Sequence, residues 1–118
     1  MKRDNDLIRE MLLEFEADHD WLLLVPGGVS GESDEDRKRR YHMFLLADDG
    51  MLLEVGNDAM RLTSRGHDFI EAIRSDSIWK KVTDGGKTIG GATIGMLKDL
   101  AVAYLKQAAH ERLGITLS

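Results

Sequence analysis

Apolar positions recur along this chain in two rhythms, and the change from one to the other marks its elements. Leu7, Ile8, Met11, Leu12 and Phe15 fall at spacings of three and four, which draws one stripe along a helix that opens after Asp4 and runs to about Glu16. Asp4 is the expected N-cap, because its short carboxylate can accept the free N–H groups of the first turn. Trp21 to Val25 is a continuous apolar run closed by Pro26, Gly27 and Gly28, the pattern of a short strand followed by a loop to Ser33. From Asp34 to Asp49 the chain predicts one or two consecutive helices with Tyr41, Phe44, Leu45 and Leu46 on the apolar side. Asp34, Glu35 and Asp36 suit a helix N-terminus, and Gly50 suits the stop.

Met51 to Val55 and Met60 to Leu62 flank Gly56, Asn57 and Asp58, which predicts a hairpin. Thr63 is placed to cap a helix carrying Phe69, Ile70 and Ile73, and Asp76 to cap a short continuation with Ile78, Trp79 and Val82. Five glycines between Asp84 and Gly95 predict a flexible connection. Leu97, Leu100, Ala101, Tyr104, Leu105 and Ala108 then repeat at helical spacing up to Gly114. Trp21 and Trp79 are expected as core or half-buried anchors. The fold class that follows is α+β, mostly α. A helical pair followed by a hairpin is the order of a winged helix-turn-helix-like core. The expected organisation is a single domain with a core over 1–82, a connection over 83–95 and an amphipathic C-terminal helix over 96–114, packed on the core or at a dimer interface.

Three stretches, MKRDNDLIREMLLEFE (Met1 to Glu16), YHMFLLADDGML (Tyr41 to Leu52) and RLTSRGHDFIEAIRSDSIWKK (Arg61 to Lys81), together resemble the bacterial and phage family known as domain of unknown function 2513. The last two also resemble the general winged-helix pattern, in which LTxxG opens the helix after the wing. The resemblance implies a winged-helix core and an association with phages and mobile elements. It carries over no activity and no site residue. The acids Asp34, Glu35, Asp36, Asp48 and Asp49 depart from the basic helix that DNA-binding winged helices keep.

Composition narrows the function classes. The chain lacks cysteine, so disulfides and thiolate chemistry are excluded. Its apolar runs are too short to cross a bilayer and its start does not read as a signal peptide, so a cytoplasmic protein without membrane contact is expected. Residues 77 to 118 hold six Lys/Arg and three Asp/Glu, net +3; the other ten basic and eighteen acidic side chains give residues 1 to 76 a net of −8. A duplex-binding surface needs cations aimed at phosphates, and this region starts with a deficit.

The candidate motifs are few. Arg37, Lys38, Arg39 and Arg40 stand where a recognition helix would begin, but four consecutive residues spread over more than a full turn and cannot share a groove. Gly85-Gly86-Lys87-Thr88 has the ending of a phosphate-binding loop without its earlier glycine, since Lys81 stands there, and Gly90, Gly91 and Gly95 miss the dinucleotide fingerprint. His67 and Glu71 have a metal-ligand spacing, with His19 a remote third, yet two ligands do not make a site. No nucleophile elbow or ordered carboxylate pair is present. The expectation is a protein that is not an enzyme and takes no cofactor.

Two readings follow. In the first, the chain is a regulatory protein-interaction module whose acidic face, Asp34, Glu35, Asp36, Asp48 and Asp49, meets a basic protein partner, in its sharpest form as an acidic inhibitor of a nucleic-acid-binding complex. In the alternative it is a DNA-binding regulator using Arg37, Lys38, Arg40, Tyr41, Arg61 and Arg65. A homodimer would use Leu97, Leu100, Ala101, Tyr104 and Leu105; packing within the chain would bury the same stripe.

Overall fold

The computed structural model describes residues 1–88 and 92–116. It is α+β and mostly α: α1 (Asn5–Ala17), β1 (Leu23–Leu24), α2 (Asp34–Asp48), β2 (Leu52–Gly56), β3 (Ala59–Leu62), α3 (Ser64–Ile73), α4 (Asp76–Thr88) and α5 (Ile94–Leu113). The chain divides into two compact units, Met1–Ile70 and Glu71–Ser118, with the division falling inside α3.

In the first unit the helix ends are built as the side chains dictate. Asp4 caps α1 by accepting the Leu7 N–H at 3.0 Å, and Ile8, Met11 and Leu12 form the buried stripe. A single helix, α2, fills the stretch from Asp34 to Asp48, capped by Ser33. It ends in a Schellman motif: Met51 N–H donates to Leu46 O at 2.9 Å and Gly50 N–H to Ala47 O at 3.0 Å, with Gly50 at φ +75. That reversal delivers Met51 and Leu52, both buried, into the core at the head of β2.

The three strands form one antiparallel sheet in the order β1-β3-β2. Leu23 lies opposite Met60, Leu24 opposite Ala59, Leu52 opposite Leu62 and Leu53 opposite Arg61. A bulge at Val55 precedes the turn, where Asp58 takes a left-handed conformation at φ 54. Thr63 ties hairpin to helix: its N–H donates to Met51 O at 3.1 Å, its Oγ1 donates to Gly50 O at 2.6 Å and accepts the Gly66 N–H at 3.0 Å. His42, fully buried on α2, anchors the start of α1. Its Nε2 accepts the Asp4 N–H at 2.8 Å, and because a backbone amide can only donate, the ring proton sits on Nδ1 and is donated to Lys38 O at 2.7 Å.

In the second unit α4 and α5 pack together. Thr93 caps α5, whose buried side chains are Ile94, Leu97 and Ala101, and Gly114 ends it at φ +66. Two expectations are corrected here. The segment from 83 is not a connection from its start, because α4 continues to Thr88 and Gly85 faces Leu100 and Tyr104; positions 89–91 lie outside the described residues. Ser75, not Asp76, precedes α4 as its cap, accepting the Ile78 N–H at 3.4 Å.

Candidate functional site

Three of the four consecutive cations on α2 are paired with the molecule's own acids. Arg37 pairs with Glu32 at 3.3 Å and with Asp34 at 3.2 Å, Lys38 with Asp4 at 2.9 Å, and Arg39 with Glu14. Arg40 lies over the Phe44 ring, 5.4 Å from its centroid. The Gly28 N–H donated to Glu32, with Arg37 beside it, holds that carboxyl below its ordinary value of 4.5. Lys38 and Arg39 therefore face α1, while Arg37, Arg40, Tyr41 and Phe44 share the outward stripe. That stripe bounds two shallow hollows that meet at Phe44. One, of about 240 Å³, adds Met1; the other, of about 420 Å³, is lined by Val25, Met60, Glu54 and the turn Gly56 to Ala59.

The remaining cations of the DNA reading do not join them. Met60 is buried and Arg61 follows it, so Arg61 stands on the opposite face of the sheet. Arg65 is exposed, and its stem runs past Gly50 at the far end of α2 from Arg37. The expected acidic face is divided as well. Asp34, Glu35 and Asp36 occupy the first turn of α2, with Asp34 engaged by Arg37, whereas Asp48 and Asp49 close the helix about 20 Å away at 1.5 Å per residue.

What the sheet exposes instead is apolar. Leu24, Leu53, Val55 and Leu22 are 77%, 47%, 42% and 37% exposed, and Trp21 just before them is 68% exposed. Leu24 and Leu53 lie on the same face as Ala59 and Arg61, their cross-strand partners, while Leu23, Leu52 and Met60 fill the core from the other. An antiparallel sheet with one solvated face ordinarily alternates apolar and polar positions; this one is apolar on both sides. Trp21 is thus corrected from anchor to surface residue, whereas Trp79 is buried as expected.

The family model described as a hypothetical protein, DUF2513, matches residues 2–93. The chain belongs to that family. An uncharacterized protein of Haemophilus influenzae is 32% identical over an alignment of 121 positions, covering 93% of this chain and 93% of the relative. No solved structure matches the chain.

The DUF2513 match takes in the whole sheet and both helices that flank it in sequence, so the apolar face lies within the family segment. The expected dimer stripe of α5 lies entirely beyond residue 93 and is largely consumed within the chain. Leu97 and Ala101 are buried, Leu100 and Tyr104 face Gly85 of α4, and Lys81 lies over the Tyr104 ring at 5.8 Å; Leu105 alone of the five is exposed. His67 is exposed and Glu71 pairs with Arg74 at 2.7 Å; among the described residues no three metal-ligating side chains gather. No helix among them is long and apolar enough to cross a membrane. The sheet face was overlooked in the sequence, although the signal was there. The runs WLLLV and MLLEV put leucines at both parities, so both faces of the sheet had to be apolar.

Proposed function

We propose that this DUF2513 chain is a small non-catalytic protein-binding module, acting as a regulatory component in a bacterial or mobile-element setting, and that its contact surface is the outer face of the three-stranded sheet. The observation that carries the reading is the exposed Leu22, Leu24, Leu53 and Val55 on a domain in which Arg37, Lys38 and Arg39 of the basic run are paired with its own acids. Contiguous exposed apolar side chains on a small domain mark interaction sites. The division of the acids between the two ends of α2 removes support from the acidic-mimic form of the reading.

One observation favours a second reading. The order α1-β1-α2-β2-β3 with sheet order β1-β3-β2 suits a winged-helix core with a single helix ahead of the hairpin, and such cores serve DNA-binding regulators. A mixed-sequence fluorescent duplex titrated with the protein from low to high salt separates the two. The protein-binding reading expects no binding at low salt, together with capture of a partner from bacterial lysate that survives nuclease and is lost with the double substitution Leu24→Asp and Leu53→Asp. Duplex binding that falls steeply with salt and weakens with Arg37→Ala and Arg40→Ala would overturn it in favour of the regulator.

A further inference from the structure

The outer sheet face is apolar except at one place. Arg61 stands in the central strand opposite Leu53, two residues from Ala59, which is opposite Leu24. Its guanidinium makes one hydrogen bond, from Nη1 to Leu62 O at 3.1 Å, and among the described residues no carboxylate forms an ion pair with it. An arginine has five N–H donors, so most of the hydrogen-bonding capacity of the half-buried Arg61 is unused among the described residues.

Covering this face would take water from those donors. A purely apolar partner would strand a charge and a cationic one would repel it, and either loss works against the gain from the leucines around it. A second copy laid on the face across a two-fold axis would bring its own Arg61 into the same patch. A carboxylate, by contrast, accepts two parallel N–H groups of a guanidinium. Strand addition along β1 is also hindered, because the Asp20 carboxylate already accepts the Leu22 N–H at 3.1 Å.

Resting on the protein-binding reading, we infer that the partner docks on the face of the sheet with a segment carrying one Asp or Glu among apolar side chains, and that Arg61 receives that carboxylate. Leu24, Leu53 and Val55 supply contact area, and Arg61 sets which segments are accepted.

The test is selection of a displayed random peptide library on the full chain, with the Leu24→Asp/Leu53→Asp protein as counter-target after its helical circular dichroism is checked against wild type. The expected enriched peptides carry an acidic residue flanked by Leu, Ile, Val, Phe or Trp. Their affinity falls about tenfold or more with Arg61→Gln. Arg61→Glu abolishes binding, and replacing the acid of the peptide by Lys restores it. Enriched peptides without an acid, or binding indifferent to Arg61 changes, would overturn the inference, as would no enrichment at all. Peptides that bind the counter-target equally well sit elsewhere; they would overturn the assignment of this face while leaving the protein-binding reading intact. Sedimentation that shows self-association abolished by Leu24→Asp would make a second copy the occupant and overturn it too.

Discussion

Gly66 offers a sharp test of the packing between hairpin and α3, because helix propensity and tertiary contact predict opposite signs for Gly66→Ala. The residue lies in the first turn of α3 with ordinary helical φ, so alanine there gains about 1 kcal/mol from propensity. A Cβ at this position, however, falls well inside van der Waals contact with the Met51 carbonyl oxygen, 3.2 Å from Met51 C and 3.3 Å from Leu62 Cδ2. The obstacle is backbone. Met51 O is held by the Thr63 N–H, and Thr63 Oγ1 bridges Gly50 O to the Gly66 N–H, so α3 cannot withdraw without loosening its own cap. Overpacking of this kind costs about 1–3 kcal/mol, and the immovable neighbour favours the upper part of that range. The net expectation is a loss of about 1–2 kcal/mol, which lowers a urea midpoint by about 0.5–1 M. The internal control is Gly85→Ala in α4, where the new methyl meets Tyr104 Oη at 3.8 Å and Leu100 Cδ1 at 3.9 Å, ordinary contacts. That variant gains about 0.5–1 kcal/mol. A Gly66→Ala protein as stable as wild type would refute the close approach of α3 to Met51.

Other consequences can be checked in the same unfolding assay. His42→Ala removes a fully buried ring and leaves the Asp4 N–H without its acceptor, so it loses about 2–4 kcal/mol; a neutral result would contradict the anchoring of α1 by α2. The hydrogen bond from Lys38, with that from the Leu7 N–H, holds the Asp4 carboxyl below its ordinary value of 3.8. A carboxylate lowered in the folded state adds stability above its unfolded value and loses it as pH falls through the folded one. The difference between wild type and Asp4→Asn is therefore largest near neutrality and closes as pH drops below 3.8; a difference independent of pH would exclude the ion pair.

Much of the fold was legible because it rests on local chemistry. The stripe of α1, its Asp4 cap, the Gly50 stop, the hairpin around Asn57 and Asp58, and the long period of α5 each depend on residues within a few positions of one another. Neighbours in sequence set capping, turn conformation and amphipathicity, so one chain suffices to read them. The helical Gly85 was missed because its propensity argues for a loop, and a cost of about 1 kcal/mol is outweighed by packing against Leu100 and Tyr104 on α5.

The surface is where the tertiary structure decided. Four consecutive cations read as a basic cluster, yet Lys38 meets Asp4 and Arg39 meets Glu14 from far along the chain, and Arg61 is set on the other side of the sheet by its register with Leu53. The apolar parity of the strands was written in WLLLV and MLLEV, but which leucines stay in water depends on what covers each face of the sheet. The sequence alone thus determined the elements, their ends and much of the core, because those follow from short-range geometry and apolar periodicity. Only the fold decided which charges cancel and which apolar side chains remain exposed, because charge pairing and burial depend on distances in space that chain spacing does not encode.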